Sequence, residues 1–353
     1  MSMNISHLYE LIKVAREKKC SDIHLTVGLP TMYRRNGSLE HCGFKLSDQD
    51  VTDLILSMLD EKQKKKLEER VDLDFAFNTA SGTRQRVNVF YSMGKLCAVI
   101  RLLNDDVQTL EDLGLPSVLV SFAQEPRGLV LVTGPTGSGK STTLASMISY
   151  INERKPVHIL TIEDPVEYVY TPQTATIRQR EVGKDVSDFH TALRSALRED
   201  PDVILVGEMR DYETISAAVT AAETGHLVLA TLHTTSAAQT IDRIIDSCPP
   251  HSQNQIRSQL ASVLRGVVTQ TLVPLANGEG RVPAAEVLIG TDAVANLIRT
   301  NKCHQLESLM LSNTAIGMQT LNMSLASLYN MKKISRASAL MYCSDRSEMK
   351  KLL

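Results

Sequence analysis

Gly128-Leu129-Val130-Leu131-Val132-Thr133 runs without a break into Gly134-Pro135-Thr136-Gly137-Ser138-Gly139-Lys140-Ser141, and Thr142–Tyr150 continues as a helical pattern. The continuous apolar run is the mark of a strand buried on both faces. The stretch after it matches G-x-x-x-x-G-K-[S/T] in full, so the segment reads as strand, phosphate-binding loop, helix. Gly134, Gly137 and Gly139 let the backbone wrap closely around phosphates and aim successive N–H groups at them. Pro135, Thr136 and Ser138 complete the loop. Lys140 brings a point charge to the β- and γ-phosphates, and Ser141 offers a hydroxyl to Mg2+. The helix that starts near Lys140 and continues through Thr142 adds its positive end. Nucleotide binding, with ATP and Mg2+ as ligands, follows from residue types and spacing.

Outward from this core, Val157–Ile162, Val203–Val206 and Leu227–Leu232 are further short apolar runs separated by helical patterns. Buried parallel strands alternating with helices predict an α/β sheet covered on both faces. Residues 251–353 read as mostly helical. There Ile256, Leu260, Val263 and Val267 follow one face, and Met318, Leu321, Leu325 and Leu328 another; core packing accounts for both stripes. Upstream, residues 5–18 predict an amphipathic helix with Leu8, Leu11, Ile12 and Ala15 at helical spacing. Met32–Arg35 reads as a strand closed by an Asn36-Gly37 turn, 47–69 as a polar helical stretch, and 72–78 and 84–103 as strands. This makes residues 1–103 a small α+β module, 104–116 a linker, and 117–353 the nucleotide-binding domain.

Composition agrees with two domains. The chain has 353 residues, 43% hydrophobic and 22% charged, an ordinary globular balance. A net charge of −2 supplies no global basic field for nucleic acid. The local run Lys62–Lys66 reads as a solvated helix face. The six cysteines include no CxxC pair, which speaks against a zinc ribbon and suits a reducing cytoplasm. No signal peptide is visible in Met1–His7, and no apolar run is long enough to predict a transmembrane segment.

Three segments beyond the loop add acids and histidines. Thr161-Ile162-Glu163-Asp164-Pro165-Val166-Glu167 places carboxylates just past a predicted strand end, where ligands of such sheets lie. Val203-Ile204-Leu205-Val206-Gly207-Glu208 is a hydrophobic strand ending in an acid, a Walker B pattern with Gly207 where an aspartate usually stands. Mg2+ would then be held by Ser141 and Glu208 with phosphate oxygens and water. His226 and His233 bracket a strand, which makes His233 a candidate sensor of the γ-phosphate. No NKxD-like base-recognition element is present.

Together these segments resemble the Walker A, Asp box, Walker B and His box of the type II secretion and type IV pilus ATPase family. The resemblance spans essentially the whole chain. Within the family, Leu197–Asp246 and the closing Gly317-Met318-Gln319-Thr320-Leu321 look like the pilus retraction ATPases. It implies an α/β fold with a PAS-like N-terminal domain and a RecA-like P-loop ATPase domain. It also implies a homo-hexamer in the cytoplasm that drives pilus retraction by ATP hydrolysis while attached to an inner-membrane pilus platform protein. Residue by residue, Glu163 resembles the family's catalytic base, Glu208 the Walker B acid and His233 the His-box residue. The choice of base between Glu163 and Glu208 stays open, with Glu163 favoured. Arg86 and Arg101, in Gln85-Arg86-Val87-Asn88 and Val99-Ile100-Arg101, match positions that the family turns toward the phosphates as arginine fingers. Ala295-Asn296-Leu297-Ile298-Arg299 stands where the retraction enzymes carry Ala-Ile-Arg-Ala-Ser-Glu and matches it poorly. A short zinc-free assembly or DNA-uptake ATPase is the alternative within the family. A nucleotide-binding regulator without turnover is the alternative outside it.

Overall fold

In a computed structural model of the chain, residues 5–35, 38–43, 46–80, 82–103 and 106–353 are described. The Asn36-Gly37 turn and Asn104-Asp105 at the head of the expected linker lie outside them. The chain forms two compact units, Met1–Asp106 with Pro165–Val169, and Val107–Asp164 with Tyr170–Leu353.

The first unit runs α1 (Ile5–Glu17), β1 (Asp22–Thr26), β2 (Met32–Arg35), β3 (Ser38–His41), α2 (Asp48–Leu56), α3 (Glu61–Glu68), β4 (Leu73–Asn78), β5 (Arg84–Ser92) and β6 (Lys95–Leu102). Its antiparallel sheet has the order β3-β2-β1-β6-β5-β4. Leu8, Leu11 and Ile12 of α1 share one core with Ile23, Leu25, Val87, Val89 and Ile100. Strand alternation then turns Asp22, Arg86 and Arg101 to the opposite face. The stretch 47–69 is two helices and not one, because Asp60 starts a second: it accepts from Gln63 N while Gln63 accepts from Asp60 N, at 2.8 and 2.9 Å. Most of the Lys62–Lys66 run is exposed on α3.

In the second unit come α4 (Val118–Gln124), β7 (Gly128–Thr133), α5 (Lys140–Arg154), β8 (His158–Glu163), β9 (Thr176–Glu181), α6 (Phe189–Ala196), β10 (Val203–Val206), α7 (Tyr212–Glu223), β11 (Leu227–Leu232) and α8 (Ala237–Asp246). There follow α9 (Gln253–Val263), β12 (Leu264–Pro274), β13 (Arg281–Ile289), α10 (Asp292–Arg299), α11 (Leu306–Ser312), α12 (Leu321–Asn330), α13 (Arg336–Tyr342) and α14 (Arg346–Leu352). The sheet order is β13-β12-β7-β11-β10-β8-β9. Every pair is parallel except β12–β13. Along β7, Leu129 and Leu131 pack with α6 to α9 on one face, and Val130 and Val132 with α4 and α5 on the other. All four are fully buried, each contributing about 1.5–3 kcal/mol, so the loop that follows springs from a rigid strand.

The region after 251 departs from its helical reading. Helix α9 stops at Val263, and Val267 lies in β12, half of a long antiparallel pair with β13. A strand apolar on both faces has no period of two, so Val267 fell by coincidence on the helical stripe. Met318 likewise precedes α12, which Thr320 caps by accepting from Met323 N. The Gly317–Thr320 segment instead lies along the outer edge of β13. Val287 and Gln319 exchange two backbone hydrogen bonds at 2.8 and 3.1 Å. Gln319 Nε2 donates to Ala285 O, and Ala285 N donates to Ser324 Oγ. Strand β9, polar and at the other edge, left no hydrophobic pattern to read. Among the described residues the cysteines are free thiols, and no helix is long and apolar enough to cross a membrane.

Glu286, on β13, is buried at 6% exposure and accepts from Ala237 N at the start of α8 at 2.6 Å. The Leu321 N–H at the start of α12 also donates to it. Burial pushes its carboxyl above the ordinary 4.5 despite these donors. An acid whose folded-state value is raised binds its proton more tightly when folded. Its stabilisation is therefore full below pH 4.5 and is lost as pH rises through the raised value. Urea midpoints of wild type and Glu286→Gln measured from acid to neutral pH should show the wild-type advantage shrinking as pH rises. A constant gap would contradict the assignment.

Candidate active site

Four strand ends supply the site, all at the carboxyl edge of the parallel sheet, where open α/β sheets bind ligands. The end of β7 gives the phosphate loop, β8 gives Glu163, β10 leads into Glu208, and β11 into His233.

Within the loop, Pro135, Thr136 and Gly137 are exposed while Ser138 is buried. Gly134 has φ 140° and a Cβ there would collide with the Gln270 carbonyl oxygen, so only glycine fits. Helix α5 begins at Lys140 behind Gly139, leaving Ser141 and Thr142 in its first turn with Ser141 exposed. Lys140 Nζ donates to Gly134 O at 2.8 Å and Pro135 O at 3.1 Å. It also lies 3.5 Å from His233 Nδ1. An ammonium can only donate, so Nδ1 is the accepting atom of this contact. His233 Nε2 lies 3.5 Å from Glu208 Oε2, which Arg210 Nε holds at 2.8 Å. Lys140, His233, Glu208 and Arg210 thus form one polar chain from the phosphate loop across β11 to the end of β10.

Glu163 is oriented separately. Its Oε1 accepts from Thr161 Oγ1 at 2.7 Å and from Gln179 Nε2 of β9 at 3.4 Å. Gly207 explains itself here. Its N–H donates to Ile162 O at 2.8 Å, and a Cβ would lie 3.3 Å from Glu163 Cα, so a side chain would press on the strand that carries Glu163. Thr231 Oγ1 donates to Gly207 O, tying β11 to the same turn.

In the first unit, Arg86 and Arg101 stand directly opposite each other in the β5–β6 register. Arg86 grips Asp74 through Nε at 3.1 Å and Nη2 at 2.6 Å, and Arg101 Nε pairs with Asp22 at 3.2 Å. Neither carboxylate stood out in the sequence, although Asp22 and Arg101 are cross-strand partners. Also unnoticed were Arg210, Thr161, Thr143 and Gln270. The signal for Gln270 was present: a polar Thr269-Gln270-Thr271 set inside an apolar run.

A glycine-cradled helix N-terminus, a loop lysine and strand-end acids on a β12-β7-β11-β10-β8 order define a RecA-like P-loop nucleotide-binding protein, preceded by a small PAS-like α+β domain. Residues 3–337 match the family model described as type II/IV secretion system protein, and the chain belongs to that family. It is 49% identical over 331 residues to the type IV pilus retractation ATPase PilT of Pseudomonas aeruginosa, covering 94% of this chain and 96% of the relative. It is 48% identical over 309 residues to a twitching motility protein of Neisseria gonorrhoeae, covering 87% and 83%. A crystal structure of the pilus retraction motor PilT with bound ADP superposes with a TM-score of 0.89 at 46% identity, covering 97% of this chain and 98% of that one.

Proposed function

We propose that this chain is an ATP-hydrolysing motor that drives type IV pilus retraction. In this reading it works as a homo-hexamer in the cytoplasm, held at the membrane by an inner-membrane pilus platform protein. The domains are 1–103 and 117–353, joined by 104–116, and no nucleic acid takes part. The observation that carries the chemistry is the polar chain from Lys140 through His233 to Glu208, beside an independently oriented Glu163.

The loop from Gly134 to Thr142, through the N–H groups of its residues other than Pro135, and the Lys140 charge hold the phosphates. The donor set suits Mg2+: the exposed Ser141 hydroxyl and the Glu208 carboxylate are hard oxygen ligands, and a cation there would offset phosphate charge. Glu163 takes a proton from a water molecule as that water's oxygen attacks the γ-phosphorus. The bond from that phosphorus to the β–γ bridging oxygen breaks, and ADP and phosphate leave. His233, set between Lys140 and Glu208, changes partners when a γ-phosphate occupies the loop, so it reports the hydrolysis state. Arg86 and Arg101 join this reading as cations that support turnover, each preset by a carboxylate.

Deletion of the encoding gene should leave cells hyperpiliated and unable to twitch, read by electron microscopy and a subsurface spreading assay. Bald cells would overturn retraction in favour of assembly. Wild-type piliation with normal twitching would remove the motor reading altogether.

A further inference from the structure

We infer that Gln270 is a positioning residue for the phosphate loop: its side-chain amide holds the loop and the first turn of α5 in the geometry that receives the phosphates. This deepens the nucleotide-binding reading and rests on it, though not on the mechanical output.

The residue sits on β12, next to β7 in the sheet, with its side chain 2% exposed. Its Nε2 donates to Ser138 O in the loop at 2.7 Å, and its Oε1 accepts from Thr143 Oγ1 in α5 at 2.9 Å. Thr143 and Ser138 are themselves 1% and 2% exposed. One planar amide therefore spans two consecutive pieces of the cradle, giving a donor to one and an acceptor to the other. The backbone of the same residue supports the loop as well. Its carbonyl oxygen lies where a Gly134 side chain would begin, and its Nε2 would sit 3.0 Å from a Cβ on Gly139. One residue earlier, Thr269 Oγ1 bonds Thr133 Oγ1 at 2.8 Å, fixing the β7–β12 register at the point where the loop departs.

The Ser138 carbonyl ends the peptide unit whose nitrogen belongs to Gly139. Tethering that oxygen turns the Gly139 N–H away from Gln270. Both bonds are buried, so breaking them leaves the Ser138 oxygen and the Thr143 hydroxyl without solvent to replace them. Gln270 touches no phosphate under this assignment, which is why it is a positioning and not a catalytic residue.

The test compares wild type, Gln270→Leu, Gln270→Glu and Thr143→Val for binding of a fluorescent ADP analogue, with amide hydrogen exchange of peptides covering 134–142. Gln270→Leu removes both polar atoms of the amide and should weaken ADP about 10- to 100-fold, with faster exchange in the loop and unchanged exchange in β10 and β11. Thr143→Val loses one bond and should fall in between. Gln270→Glu separates positioning from packing. As a carboxylate it repels the Ser138 oxygen; protonated, it donates to it as the amide does. Its ADP affinity, taken as a ratio to wild type at each pH so that protonation of the ADP phosphate cancels, should therefore recover as pH falls from 8 to 5.5. If Gln270→Leu does not fold, the Gln270→Glu pH series and Thr143→Val still decide. Wild-type affinity in Gln270→Leu, or a flat pH series in a weakened Gln270→Glu, overturns the inference. Failure of the wild type itself to bind ADP would instead overturn the nucleotide-binding reading.

Discussion

Glu163→Gln will lower steady-state ATP turnover by about 10²–10⁴-fold while ADP and ATP still bind with near wild-type affinity. The amide keeps the shape of the carboxylate, so the hydrogen bond from Thr161 Oγ1 at 2.7 Å has an oxygen to meet. What disappears is the capacity to take a proton from the attacking water. Glu208 is the rival for that duty, but its Oε2 is engaged by Arg210 at 2.8 Å and faces His233. That engagement suits a residue that holds other groups in place. Phosphate release measured beside equilibrium nucleotide binding separates the two. Glu163→Gln turning over at the wild-type rate, with Glu208→Gln silent, would exchange their roles.

Lys140→Ala should act one step earlier, on binding itself. A charge-assisted hydrogen bond contributes about 1.5–3 kcal/mol, so removing the ammonium should weaken ADP by roughly 10- to 150-fold. The stabilisation conferred by ligand makes this visible without turnover. At ADP a hundredfold above the wild-type Kd, the folded state gains about 2.7 kcal/mol; a hundredfold weaker variant gains about 0.4 kcal/mol at the same concentration. The ADP-induced rise in thermal midpoint should thus nearly vanish. The unliganded protein should change less, because the Lys140 contacts to Gly134 O, Pro135 O and His233 Nδ1 are made by a side chain that is not fully buried. An undiminished midpoint shift would remove Lys140 from the phosphate site.

The loop, α5 and the strands β7, β8, β10 and β11 were legible because each joins a local cue to a global one. Gly134 and Gly139 answer backbone geometry, and the apolar runs answer burial on two faces. Glu163, Glu208 and His233 were legible as residues following those runs. Their partners were not, since a hydrogen bond from Thr161 leaves no trace in spacing. Gln270 was hidden for a different reason. It lies in a strand whose apolar residues continue the stripe of α9, so a helical reading placed it on no particular face. The strands β12 and β13 were lost with it, and so was the Gly317–Thr320 segment's place in the fold.

That segment has a consequence for the protein in a crowded cell. The outer edge of β13 would otherwise offer unpaired backbone groups at Ala285 and Val287, a template onto which another chain's strand could add. Gln319 and Ser324 occupy all four of those groups. A chain whose Gly317–Thr320 segment came loose would expose a sticky margin at one end of its ATP-binding sheet. The same residues that resemble a family signature therefore also guard solubility, keeping one copy of the chain from joining another strand to strand.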